Sequence, residues 1–92
     1  MIRSIQDGNT LELWVSGKNR RFSAIAKVAL RKLDQLDAIT RVEDLLAPPG
    51  NRLEKLKGDR AGQWSIRIND QWRICFRWDN GDAWDVEIVD YH

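Results

Sequence analysis

The residue types best suited to proton and phosphate chemistry gather in the last third of the chain. His92 is the single histidine, the side chain whose unperturbed pKa lies nearest neutrality. Asp90 and Tyr91 precede it, and the three could between them supply a proton donor or acceptor and the hydrogen bond that orients it. Lys57, Arg60, Arg67 and Arg73 are the cations placed to hold phosphates, a task for which the planar fork of arginine is well shaped. Plainer readings stand beside these. His92 could be a frayed end, and the arginines could form an ordinary wet sheet face, paired across strands with Glu87 and Asp85. Cys75 has no base beside it in sequence and reads as a small space-filler rather than a nucleophile. One cysteine and one histidine fall short of any zinc pattern.

These residues must be positioned by strands. Trp64, Ile66 and Ile68 alternate with Ser65 and Arg67, and Trp72, Ile74, Phe76 and Trp78 alternate with Gln71, Arg73, Cys75 and Arg77. Period-2 alternation predicts strands with one apolar and one wet face. Asn80-Gly81 predicts a type I′ hairpin turn, which needs φ > 0 at both central residues. Asn69-Asp70 predicts a second, weaker turn. The last strand is expected to carry Trp84, Val86 and Ile88 on its apolar face.

Upstream, Ile2–Ile5 reads as a short edge strand or a partner for the last one, and Leu53–Leu56 as the start of the sheet. Thr10 is expected to cap a short helix over residues 11–15 that Gly17 ends. Residues 23–38 predict the main amphipathic helix, with Ser23 as N-cap and Ile25, Ala26, Ala29, Leu33 and Leu36 on its apolar side. Lys27, Arg31, Lys32, Asp34 and Gln35 fall to the other side. Lys18-Asn19-Arg20-Arg21 reads as a solvated connection. Thr40–Glu43 matches a capping box opening a short helix to about Leu46, and Pro48-Pro49-Gly50 stops it. Helices first and an antiparallel sheet after give an α+β fold with the helices on one sheet face.

Composition narrows the classes. Ninety-two residues suit one small domain, spanning 1–92. A charged fraction of 32% and the lack of any run near the ~20 apolar residues of a spanning helix argue against a membrane protein. No secretory h-region opens the sequence, and a lone cysteine fits a reducing cytoplasm. The net charge of +1 is unlike that of a non-specific nucleic-acid binder. A polyanion site must therefore come from local arrangement.

LKGDRAGQWSIRINDQWRICFRW (56–78), followed by GDAWDVEIVDYH (81–92), resembles the HigB toxins of the RelE-like superfamily, found in bacterial type II toxin–antitoxin systems. The likeness extends to the APPGNRLEKL approach and covers nearly the whole chain. It implies a RelE-like fold, a small antiparallel sheet formed by the three-strand meander and an N-terminal strand. It implies an endoribonuclease that cuts mRNA in the ribosomal A site through attack by the 2′-hydroxyl, with no metal or cofactor. Arg73 and Lys57 would then stabilise the phosphate. Asp90, Tyr91 and His92 would shape the site and handle protons, His92 as acid or base. Arg67 and Arg60 would contact RNA. The implied partners are a HigA-like helix-turn-helix antitoxin, the ribosome and mRNA, with operator DNA reached only through the antitoxin. The family carries a histidine three residues before the motif lysine, where this chain has Glu54. That carboxylate would repel phosphate and is expected to turn away, though it could act as a base. Two other classes remain open: a module that blocks the A site without cutting, and a protein-binding domain.

Overall fold

The computed structural model describes residues 1–91; His92 lies outside them. Two helices, α1 (Gly8–Ser16) and α2 (Ala26–Ala38), precede four strands: β1 (Glu54–Lys55), β2 (Gln63–Arg67), β3 (Trp72–Asp79) and β4 (Asp82–Asp90). Short 3-10 turns occupy Val42–Leu46, Pro49–Asn51 and Gly58–Arg60. The strands pair antiparallel in the order β1-β2-β3-β4. Among the described residues no helix is long and apolar enough to cross a membrane.

The hairpin turns follow their sequence signals. Asn80 and Gly81 have φ of 54° and 78°, the two positive values a type I′ turn requires. Asn69 Oδ1 accepts from the backbone N–H groups of Gln71 and Trp72, both at 2.8 Å, and so closes the β2–β3 connection through its side chain. Leu13, Phe22, Leu33 and Leu36 pack with Ile66, Ile74, Phe76 and Val86, all fully buried. Each such side chain contributes about 1.5–3 kcal/mol by leaving water. The helices thus cover one sheet face, and the other is free to carry polar groups.

Several local expectations change. Residues 2–5 partner the last strand, as one of the two readings has it, but through two isolated parallel bridges, Ile2 to Ala83 and Ile5 to Val86, rather than as a strand of their own. The fourth strand of the sheet is β1. Asp7, not Thr10, caps α1, its Oδ2 accepting from Thr10 N–H at 3.1 Å. Thr10 is buried, and its Oγ1 accepts from Ile88 N–H at 3.1 Å. Gly17 ends the helix in the left-handed region as expected. The main helix starts at Ala26 and not at Ser23, because Asn19 Oδ1 accepts from Phe22 N–H at 3.2 Å. That bond holds a turn which drives Phe22 and Ile25 into the core. No capping box forms at Thr40; Glu43 pairs with Arg41 instead at 3.2 Å, and a single 3-10 turn follows.

The parity of β4 also shifts. Cys75 pairs with Glu87 but Arg77 with Trp84, so Asp85 and Val86 share the place opposite Phe76. Asp85 sits at φ 53°, and the extra residue flips everything before it to the other face. Ala83 therefore enters the core, and Trp84 leaves the apolar face expected for it.

Candidate active site

The uncovered sheet face is ordered by strand register. One row across it reads Glu54, Ser65, Cys75, Glu87; the next holds Arg67, Arg73 and Val89. Arg73 is the centre of what can act on an anion. The sequence placed it on a wet face, yet it is only 9% exposed. Its Nε donates to Ser65 Oγ at 2.8 Å, and its Nη2 to the carbonyl oxygens of Arg52 (2.7 Å) and Ser65 (3.3 Å). These acceptors are neutral, and among the described residues no carboxylate pairs with it. Nη1 is the nitrogen those three bonds leave over. A guanidinium fixed by neutral acceptors is a preorganised anion ligand.

The end of the sheet adds the carboxylate and the phenol. Tyr91 N–H donates to Gln71 O at 2.7 Å, which holds Tyr91 beside the start of β3. The Arg73 guanidinium carbon then lies 5.8 Å from the Tyr91 ring centroid. Asp90 stands opposite Trp72 and accepts from Gln71 Nε2 at 3.1 Å. Arg73, Asp90 and Tyr91 are thereby brought to one end of β3 and β4. The role expected of His92 lies outside the described residues.

The other cations are arranged differently. Arg67 is the register partner of Arg73 and forms an ion pair with Asp70. Arg60 Nη1 pairs with Glu87 Oε1 at 3.1 Å and donates to Gln63 Oε1 at 3.0 Å. Arg77 pairs with Asp85 at 2.9 Å. The wet-face reading is therefore correct for Arg60 and Arg77. Such half-exposed pairs are worth about 0–1 kcal/mol, so a phosphate could draw Arg60 or Arg67 away at small cost. Lys57 is exposed, just before the Gly58–Arg60 turn.

Glu54 is exposed opposite Ser65, on the outer face rather than turned from it. Cys75 is fully buried in the same row. Burial pushes its thiol pKa up, Glu87 and Glu54 add to that, and Arg60 and Arg73 oppose it. A buried thiol so raised fits the space-filling reading.

Sequence reasoning missed the groups behind Arg73: Lys32, Asn51 and the Arg52 carbonyl. Lys32 was assigned to the solvent side of its helix, but it is 7% exposed. Its spacing from Ala29, Leu33 and Leu36 was the available signal, since a charge inside an apolar stripe must find partners.

A small antiparallel sheet with helices packed on one face is a fold shared with solved bacterial toxin structures. The chain matches YoeB in the YoeB–YefM complex from Staphylococcus aureus at a TM-score of 0.63 and 20% identity, covering 100% of this chain and 98% of that one. It matches the YoeB/ParE toxin from Agrobacterium tumefaciens at 0.51 and 19%, covering 99% and 100%. The family model described as the RelE-like toxin of type II toxin-antitoxin system HigB matches residues 5–92, and the chain belongs to that family. It is 48% identical over 61 residues to Toxin HigB-1 of Vibrio cholerae serotype O1, covering 66% of this chain and 64% of that protein. It is 42% identical over 65 residues to Endoribonuclease HigB of Proteus vulgaris, covering 66% and 65%. The chain thus spans just under two-thirds of the length of these curated relatives.

Proposed function

We propose that this toxin domain is an endoribonuclease that cuts mRNA in the ribosomal A site and so halts translation. In the step envisaged, the 2′-hydroxyl loses its proton to a base and its oxygen bonds to the adjacent phosphorus. The bond to the 5′-oxygen breaks, and that oxygen takes up a proton. The products are a 2′,3′-cyclic phosphate and a 5′-hydroxyl. Arg73 would hold the phosphate through Nη1, stabilising the charge that grows on it. Lys57 would approach from the exposed turn as a second, mobile cation. His92 would act as acid or base, with Asp90 and Tyr91 shaping the site. Arg60 and Arg67 would exchange their carboxylates for RNA phosphates.

One observation carries this reading: a buried arginine at the end of the sheet, bonded among the described residues to neutral oxygens and lying over Tyr91. Substrate delivery by the ribosome agrees with a net charge of +1, which gives little long-range steering of its own. Lys18, Arg20 and Arg21 pair with no carboxylate among the described residues, and they offer a basic loop to such a partner. The protein would work in the cytoplasm. A HigA-like helix-turn-helix antitoxin would neutralise it and supply the contact to operator DNA.

The test is to map mRNA 5′ ends after inducing the protein and its Arg73→Ala variant, alongside purified transcript with and without ribosomes. In-frame cuts that need ribosomes and vanish in the variant are expected. Arrested growth with intact transcripts would overturn the nuclease reading in favour of A-site blocking. Cuts on naked transcript would discard the ribosome from the mechanism.

A further inference from the structure

Lys32 stands in the apolar stripe of α2, among Ala29, Leu33 and Leu36, and is almost wholly buried. A leucine there would fill the space without desolvating an ammonium. Burial, with Arg31, Arg67 and Arg73 nearby, draws its pKa below the usual lysine value. No carboxylate among the described residues pairs with it. What the ammonium does instead is grip two oxygens. It donates to Asn51 Oδ1 at 2.8 Å and to the Arg67 carbonyl at 2.6 Å.

The first contact ends beside Arg52, whose carbonyl holds Arg73, and the second on the strand residue paired with Arg73. Asn51 is fully buried, and its Nδ2 donates to Gln35 Oε1 and to the carbonyls of Leu45 and Ala47, at 3.1, 3.2 and 3.3 Å. The side chain is thus pinned from α2 and from the loop before it. Its backbone runs into Arg52, held at φ 45°, a left-handed conformation uncommon for a long side chain. The Arg52 carbonyl so placed receives Arg73 Nη2. Arg67 is the β2 residue directly opposite Arg73.

We propose that Lys32 and Asn51 are positioning residues that set the Arg73 guanidinium, Asn51 through the Arg52 carbonyl and Lys32 through both Asn51 and the β2 backbone opposite. The catalytic consequence rests on Arg73 being the phosphate ligand; the geometric claim stands without it. Lys32 touches no substrate in this scheme. It lies behind the site, on the helix side of the sheet, and acts through the turn that faces Arg73.

The experiment compares the wild type with Lys32→Met, which keeps the length and apolar bulk but not the donors. One arm follows the Arg73 Nε–H resonance by 15N NMR, reading its exchange with solvent and its shift. The other measures single-turnover cleavage of a synthetic mRNA bound to ribosomes, alone and in the Arg73→Ala background. In folded Lys32→Met, Nε–H exchange should rise by about tenfold or more. The cleavage step should slow by about 10- to 100-fold with little change in the half-saturating concentration, and the substitution should cost nothing further once Arg73 is alanine. An unchanged resonance and rate would overturn the proposal, as would an equal loss with and without Arg73. Should wild type fail to cleave, the nuclease reading falls while the resonance still decides the geometry. Should Lys32→Met not fold, Lys32→Gln, whose shorter neutral amide keeps two N–H donors, takes its place: smaller changes in the same directions are expected, and the same results would overturn the proposal.

Discussion

The guanidinium carbon of Arg73 lies 5.8 Å from the centroid of the Tyr91 ring, so the last described residue of the chain packs on the best-held cation of the outer face. Neither group is free to choose its place. Three hydrogen bonds fix the arginine, and the Gln71 carbonyl holds the Tyr91 backbone. A planar cation over an aromatic ring is favourable by about 0.5–1 kcal/mol where exposed and more where dry.

That arrangement separates charge from shape. Arg73→Lys keeps the positive charge, but an ammonium cannot reproduce the fork that meets Ser65 Oγ and Arg52 O together. Cleavage should fall by about 10²–10³-fold, close to the loss in Arg73→Ala, with the melting temperature lowered only modestly. Single-turnover assays beside thermal melts check this; a lysine variant cutting at near wild-type rate would show that charge alone suffices.

The β3–β4 turn should tolerate little. Gly81 has φ 78°, and a Cβ there would stand 3.3 Å from the Thr40 carbonyl oxygen. Gly81→Ala should destabilise by about 1–2 kcal/mol from the left-handed backbone and the close carbonyl together. Urea unfolding measures it as a lower midpoint at unchanged slope. Gly50→Ala is a matched control, since nothing lies within 4 Å of its added Cβ and its φ is not in the left-handed range.

Acid should loosen the N-terminal segment. Partial burial raises the Asp82 pKa, but hydrogen bonds from Arg3 and from the Met1 amine outweigh it and hold the carboxyl below its usual 3.8. The sign follows from proton linkage. The folded state binds the proton less readily, so this stabilisation is complete above the unfolded pKa and is lost as pH falls through the lower folded value. Asp82→Asn should flatten that acid limb of stability against pH and leave the neutral-to-alkaline limb parallel to wild type. Chemical denaturation from pH 2.5 to 7 would read it, and an unchanged acid limb would remove Asp82 from the account.

The strands were legible because a half-buried strand writes its environment into alternate residues, and Asn80-Gly81 admits few turns. Trp84 was misplaced because alternation carries no mark where an extra residue enters, and Asp85 is an unremarkable residue at a bulge. The start of α2 was misread for a related reason: Ser23 has the chemistry of a cap, but Asn19, four residues earlier, makes the bond that decides the turn. In the site, the residue types of Arg73, Asp90 and Tyr91 were readable, but the register that brings them to one end of the sheet was not. The burial of Arg73 was not, because its acceptors include two backbone carbonyls, which no side-chain pattern reports. Arg60 was read as one group with Arg73, yet it is engaged by Glu87.

The two parallel bridges from Ile2 to Ala83 and from Ile5 to Val86 also order events during synthesis. Residues near the start of the message product must wait, unpaired, until those near 83–86 have been made. Contacts so far apart along the chain close late and slowly. Tyr91 is translated later still, after all of β4. A chain extended only to the end of β3 therefore carries Arg73 without β4 beside it or the Tyr91 ring beneath it.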